Sequence, residues 1–173
     1  MAVAKQTETR KKSPAKVAAK KPAGRKGIDA VALLEADHRD VEKWFAAFGS
    51  SRSDERKGEL AAKICKALRV HTEIEEEIFY PAFLEATGEE DMNDEAIIEH
   101  DVARKLIGEI EEMSPGEDFY DAKMKVLSEI IAHHVEEEEE KGGMFAQMRK
   151  SDIDLEILGT EMAARKKELM QEH

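Results

Sequence analysis

The stretch HHVEEEEE, residues 133–140, reads as a solvated face of like charges until its residues are placed by helical rotation. An α-helix turns by about 100° per residue. Met124, Leu127, Ile130, Ile131 and Val135 make the apolar stripe of the segment leading into the run. Measured from Leu127, His134 and Glu138 both fall within about 20° of the centre of that stripe. His133 and Glu137 fall on its edge or outside it, and Glu136, Glu139 and Glu140 lie farther round, in solvent. One histidine and one glutamate of the run therefore face a core, one helical turn apart.

Outward from this run the chain reads as helices joined by polar loops. SSRSDERKG (50–58), TGEEDMND (87–94) and SPGED (114–118) punctuate it, with Asp94 suited to cap the third helix. The helices fall near 29–48, 57–85, 94–113 and 118–141, with a further helix near 152–171. Short loops between long amphipathic segments predict an all-α fold, an up-down-up-down four-helix bundle. Charged residues are 38% of the chain while Gly and Pro are scarce, which favours helices over a sheet. At 173 residues there is room for one domain with a real core, placed at 28–150, and the last helix (151–173) packs on the bundle or on a partner.

The net charge of -12 hides two opposed parts. Residues 1–27 hold seven lysines and two arginines against one glutamate, a net of +8 that leaves the rest at −20. With Pro14, Pro22 and little to bury, this segment is expected to be a disordered tail. Its SPAK and KPAG pieces resemble the lysine-rich tails of linker histones, which implies non-specific contact with DNA phosphates. A solubilising spacer is the plainer reading. One cysteine, Cys65, excludes an internal disulfide and points to a reducing, cytoplasmic setting. No apolar run approaches the roughly 18 residues of a membrane span.

The same rotation applied to the other helices places a histidine on each inner face. His38 lies in the stripe of Val31, Leu34, Val41, Phe45 and Phe48. His71 and Glu75 lie in that of Leu60, Ile64, Leu68 and Ile78, while Glu73, Glu76 and Glu77 point away. His100 is surrounded by Ala96, Ile97, Ala103 and Ile107. One histidine on an apolar face is ordinary core packing. Four, together with two glutamates that burial would penalise unless they were paired or bound to a metal, are not.

The pattern is also a duplication. His38 precedes His71-x-x-x-Glu75 by 33 residues, and His100 precedes His134-x-x-x-Glu138 by 34. Residues four apart on a helix can offer a nitrogen and an oxygen to one centre. Imidazole mixed with carboxylate suits iron, manganese or zinc, and carboxylates can bridge two ions. With both glutamates bridging, and an oxygen between the ions, about two coordination positions stay open for a small ligand.

DHRDVEKW, HTEIEEEIFYP, EHDVARKL and HHVEEEEEKGGMF together resemble the hemerythrin-like (HHE cation-binding) family over residues 29–150. The resemblance implies a four-helix bundle around a non-haem di-iron centre, two Fe ions with an oxo or hydroxo bridge. It implies His38, His71, Glu75, His100, His134 and Glu138 as ligands, the six that helical phase also selects. Oxygen-carrying hemerythrins place a further histidine where this chain has Arg104, so the resemblance favours redox reactivity or sensing over reversible carriage. The family's Phe-Pro ending is Phe145-Ala146 here, preceded by Gly142-Gly143, where the fourth helix is expected to end or kink.

Glu35 and Arg104 are expected around the ligands rather than among them. Glu35-Ala36-Asp37-His38 is a single Glu-x-x-His, and the ferritin-like pattern needs that order on two helices. His-Glu-x-x-His, the zincin signature, is absent. Cys65, Tyr80, Tyr120, His133 and His173 are read as packing or surface residues. Three functional classes remain. The chain binds, senses or buffers dioxygen, nitric oxide, peroxide or iron; or it turns over peroxide or nitric oxide; or its tail tethers an iron module to DNA.

Overall fold

The computed structural model describes residues 27–172, so the basic tail, except Gly27, and His173 lie outside the described residues. α1 (Ala30–Ser50) begins where the Asp29 side chain accepts the Ala32 N–H at 2.9 Å. α2 (Asp54–Ile74) begins at Ser53, whose hydroxyl takes the Arg56 N–H, with Asp54 and Glu55 in the first turn. Such caps satisfy backbone donors that no earlier residue can reach, and acidic first turns suit the helix dipole.

α2 does not stop at Ile74. A π-helical turn, Glu75–Phe79, carries it into α3 (Tyr80–Thr87), so one rod of mixed pitch stands where a plain helix over 57–85 is expected. Pro81 accounts for the change of pitch. It has no N–H for the carbonyl of Glu77, and its ring would crowd that carbonyl in a regular helix. α3 ends at Gly88, whose φ of 72° reverses the chain, and α4 (Glu90–Glu111) starts at once. Asp94 therefore lies inside α4 and caps nothing there; its carboxylate takes the Asn93 side-chain amide instead. α5 (Tyr120–Glu139), the short α6 (Met144–Met148) and α7 (Leu155–Glu172) complete the order.

α1 packs on α2, α2 on α4, α4 on α5 and α5 on α1, which closes an up-down-up-down four-helix bundle. α7 lies across α1 and α2. Gly159 makes that approach possible, because a Cβ there would sit 2.0 Å from the carbonyl oxygen of Ile28. No helix among the described residues is long and apolar enough to cross a membrane.

The core comes in two blocks. One holds Val41, Ile64, Leu68, Ile107, Leu127 and Ile131. The other holds Leu34, Ile74, Phe79, Ala96, Phe145 and Met162. His38 falls between Leu34 and Val41, His71 between Leu68 and Ile74, and His100 between Ala96 and Ala103. A polar layer crosses the bundle where the two blocks meet.

Candidate metal centre

The six side chains selected by helical phase form that layer. His38, His71, Glu75, His100, His134 and Glu138 are all at most 6% exposed. Their inward atoms converge. The Nε2 atoms of His38 and His71 lie 3.1 Å apart, and those of His100 and His134 also 3.1 Å. The paired rings meet at 60° in one half and 58° in the other, so the duplication of the chain is a near two-fold in space. Glu75 Oε2 stands 3.2 Å from His71 Nε2 and 3.4 Å from His100 Nε2. Glu138 Oε2 stands 3.4 Å from His38 Nε2 and 3.7 Å from His134 Nε2. Each glutamate thus spans the two halves.

Every outward-facing Nδ1 is held by a carboxylate. His38 meets Glu139 at 2.8 Å, His71 meets Asp37 at 3.4 Å, His100 meets Glu76 at 2.9 Å and His134 meets Glu99 at 2.8 Å. Carboxylates in this position fix which ring nitrogen carries the proton and leave the other free to ligate. Three of them are in turn backed by cations: Glu139 by Arg39, Asp37 by Lys166 of α7, and Glu76 by Arg104. Arg104 accordingly sits where expected, around the cluster. Glu35 does not; it pairs with Arg149 on the surface at 2.7 Å, which also removes the Glu-x-x-His reading.

Glu76 and Glu139 are corrections. Helical phase turns both toward solvent, yet each reaches across a helix interface to the imidazole of a neighbour. A legible signal existed. Asp37 and Glu99 immediately precede the first histidine of each half, and Glu76 and Glu139 immediately follow each buried glutamate, so the flanking acids repeat with the duplication.

Tyr80 is a second correction. In a regular helix it turns away from Glu75, but the π turn lets the Tyr80 N–H bond the Glu75 carbonyl five residues back, stacking Tyr80 over the cluster. Its hydroxyl donates to Glu138 Oε1 at 3.2 Å and stands 3.2 Å from His100 Nε2. Its ring stacks on His100 at 5.4 Å, and on the other half Phe145 stacks on His38 at 5.6 Å. Tyr120 packs near Phe48 and Cys65 is buried, its thiol pushed up to about 12 chiefly by that burial. Both agree with a packing role. His133 is surface-exposed.

The electrostatics show why protons alone satisfy this layer poorly. Burial lowers His71, but Glu75 and Asp37 overcome it and raise the imidazole to about 10. Burial likewise works against His134, which Glu138 and Glu99 raise to about 9. Burial and the neighbouring His71 push His38 down to about 3, and burial also lowers His100. Each half therefore pairs a charged with a neutral imidazole, one proton shared between two Nε2 atoms. Burial and the charge of Glu75 raise Glu138, while His71 holds Glu75 down despite its burial. Both oxygens of Glu75 and one of Glu138 remain buried without a hydrogen bond. The charge of Glu75 is met by the His71 imidazolium 3.2 Å from its Oε2, and a metal cation would engage the carboxylate oxygens that hydrogen bonds leave free.

The donor set fits metal. His38, His71, Glu75 and Glu138 offer atoms within 4.8 Å of one another, and so do Glu75, His100 and His134. Two groups that share Glu75 suit two ions bridged by carboxylate. A small space of about 10 Å³, on the order of one water molecule, lies where the four imidazoles meet Val41, Leu68, Ile131 and Val135.

Comparisons with known proteins bear on the fold and the family. The crystal structure of a hemerythrin HHE cation-binding domain-containing protein from Mycobacterium kansasii superposes with a TM-score of 0.68 at 23% identity, covering 84% of this chain and 89% of that one. A DNA nickase of Nostoc sp. is 29% identical over 141 residues, 80% of this chain but 39% of the nickase, so the chain spans about two fifths of that relative. The hemerythrin HHE cation-binding domain description matches residues 29–143. The chain belongs to the hemerythrin HHE cation-binding family.

Proposed function

We propose that the protein holds a non-haem di-iron centre and uses it to bind or sense a small ligand, dioxygen, nitric oxide or peroxide, or to buffer iron. The observation that carries the reading is Glu75, wholly buried, with neither carboxylate oxygen hydrogen-bonded and imidazole Nε2 atoms of both halves beside it. His38 and His71 would hold one ion, His100 and His134 the other, with Glu75 and Glu138 between them. Bound iron would supply a redox-active, electrophilic centre with exchangeable positions.

The chain's own residues limit what can reach it. The space against the imidazoles on the Val41–Leu68–Ile131 side is only about 10 Å³, while a cavity of about 110 Å³ reaches His134 and Glu138 from the other side. Phe145 covers His38 with an apolar ring and is backed edge-on by Phe79. The Tyr80 hydroxyl is placed to donate a proton at Glu138. Arg104 is tied outward to Glu76 and Asp101 and contributes no ligand atom.

Spectra of the reduced, iron-loaded protein before and after dioxygen, nitric oxide or hydrogen peroxide test the reading. Spectral change without turnover supports a binding or sensing protein. Steady-state consumption of peroxide or nitric oxide supports an enzyme instead. Unchanged spectra with all three leave iron buffering.

A second reading draws on the basic tail and on the likeness to a DNA nickase: an iron module tethered to nucleic acid. A gel shift of the full chain against a chain starting at Ile28 tests it. Equal mobility effects, or none, remove it.

A further inference from the structure

Of the four carboxylates that hold the imidazole Nδ1 atoms, three are neutralised by a lysine or arginine and one is not. Glu139 has Arg39, Asp37 has Lys166 and Glu76 has Arg104. No lysine or arginine among the described residues pairs with Glu99. Its Oε2 holds His134 Nδ1 at 2.8 Å, and its Oε1 faces His133 Nε2 at 3.7 Å. His133 Nε2 is also 3.2 Å from Glu137 Oε1. Glu99, His133 and Glu137 thereby bring three donor atoms within 4.8 Å of one another, a third cluster outside the buried layer.

Two of the three, Glu99 and Glu137, line a cavity of about 110 Å³ between α4 and α5. Glu95, Glu99, Glu137 and Glu140 line it, and its inner wall is His134 and Glu138. Glu138 is 2% exposed, and its Oε2 has no hydrogen bond. The cavity thus runs from surface acids to a buried carboxylate of the central layer whose Oε2 lacks a hydrogen bond. The three other carboxylate–imidazole pairs meet a fixed cation at the corresponding place. Here His133, with Glu137 beyond it, stands opposite Glu99, and the three make a donor mixture that suits divalent iron, manganese or zinc.

We propose that Glu99, His133 and Glu137 form a second, surface cation site, through which divalent metal is loaded into the buried cluster by way of Glu138 and His134. The ion first replaces part of its water shell with Glu99 Oε1, His133 and Glu137. It then exchanges those ligands for Glu138 and His134, without any change of oxidation state. Glu99 touches both stations, since one of its oxygens holds His134 while the other faces the surface site. The acidic lining concentrates cations at the mouth and disfavours anions there. This role rests on the buried cluster being a metal centre; the surface site itself does not.

The test uses the full chain stripped of metal, compared with the double variant His133→Ala/Glu137→Gln. Neither residue belongs to the buried cluster, and both are at the surface. Equilibrium dialysis against Co(II) counts sites, and stopped-flow mixing with Fe(II) under nitrogen times the filling of the cluster. The expected result is loss of one weaker Co(II) equivalent and loading slowed about tenfold, with the final buried metal content unchanged. Loading at the wild-type rate overturns the proposal, whatever the Co(II) count. The Glu75→Gln variant separates the two claims, because it should remove buried equivalents and keep the one that depends on His133. A Glu75→Gln chain that keeps all its buried metal counts against the central cluster instead.

Discussion

Glu75 and Glu138 are the residues on which the chemistry of this layer turns. Removing the charge of Glu75 by Glu75→Gln should weaken metal binding about 10- to 100-fold, measured by chelator competition. The metal-free variant should also lose stability near neutral pH, since the raised His71 imidazolium loses the buried carboxylate that faces it. Tyr80→Phe should keep the metal content and cost about 1 kcal/mol through the lost hydrogen bond, while changing the spectrum or the rate of reaction with peroxide. Metal uptake must also expel protons. His71 and His134, raised to about 10 and about 9, carry protons at neutral pH on the atoms that would ligate. With Glu138 raised as well, loading near pH 7 should release about two to three protons, and apparent affinity should fall as pH falls. Isothermal calorimetry in buffers of different ionisation enthalpy counts them.

At the scale of elements, two backbone devices aim the side chains. One is the π turn at Glu75–Phe79, which Pro81 imposes and which swings Tyr80 inward. Pro81→Ala lets the rod relax toward regular pitch, so the spectral effect of Tyr80→Phe should be reproduced in part without touching the hydroxyl. The other is the Gly142-Gly143 turn that ends α5. Gly142 has φ of 115°, which disfavours any side chain, and a Cβ on Gly143 would lie 2.2 Å from the Glu137 carbonyl oxygen and 2.8 Å from that of Glu138. Gly143→Ala should therefore cost about 1–3 kcal/mol, read from urea denaturation, and loosen the metal by shifting Glu138. These devices also show where the reading of the sequence runs short. His134 and Glu138 were legible because α5 keeps regular pitch through them. Tyr80 was not, because one π turn breaks the phase on which its placement rested. Glu139 and Glu76 were placed correctly on their own helices, but rotation about one axis says nothing of the neighbouring helix they reach. The early start of α4 was hidden because its N-terminus has no side-chain cap to announce it.

The whole molecule is two similar halves closed around one polar layer, with α7 bracing it. The duplication made this architecture readable from the chain alone. The link from α7 to the layer, Lys166 on Asp37, was not readable, because a lone lysine on a charged helix carries no signal of its partner. The layer also sets how stability responds to pH. His71, His134 and Glu138 all have folded values raised above their unfolded ones, so the folded metal-free chain holds protons that the unfolded chain releases. Their contribution is complete below the unfolded values and is lost as pH rises through the folded ones. His38 and His100, lowered in the fold, act oppositely but only below the usual histidine range. Metal-free protein should thus lose urea resistance from about pH 6.5 to about pH 10, and metal, which replaces those protons, should flatten the slope. The most direct test of the central claim is Mössbauer spectroscopy of the protein produced in iron-57 medium, together with its metal content. Two exchange-coupled irons per chain are predicted, both lost in the Glu75→Gln/Glu138→Gln variant. A chain without iron, or with irons that show no coupling, would contradict the account.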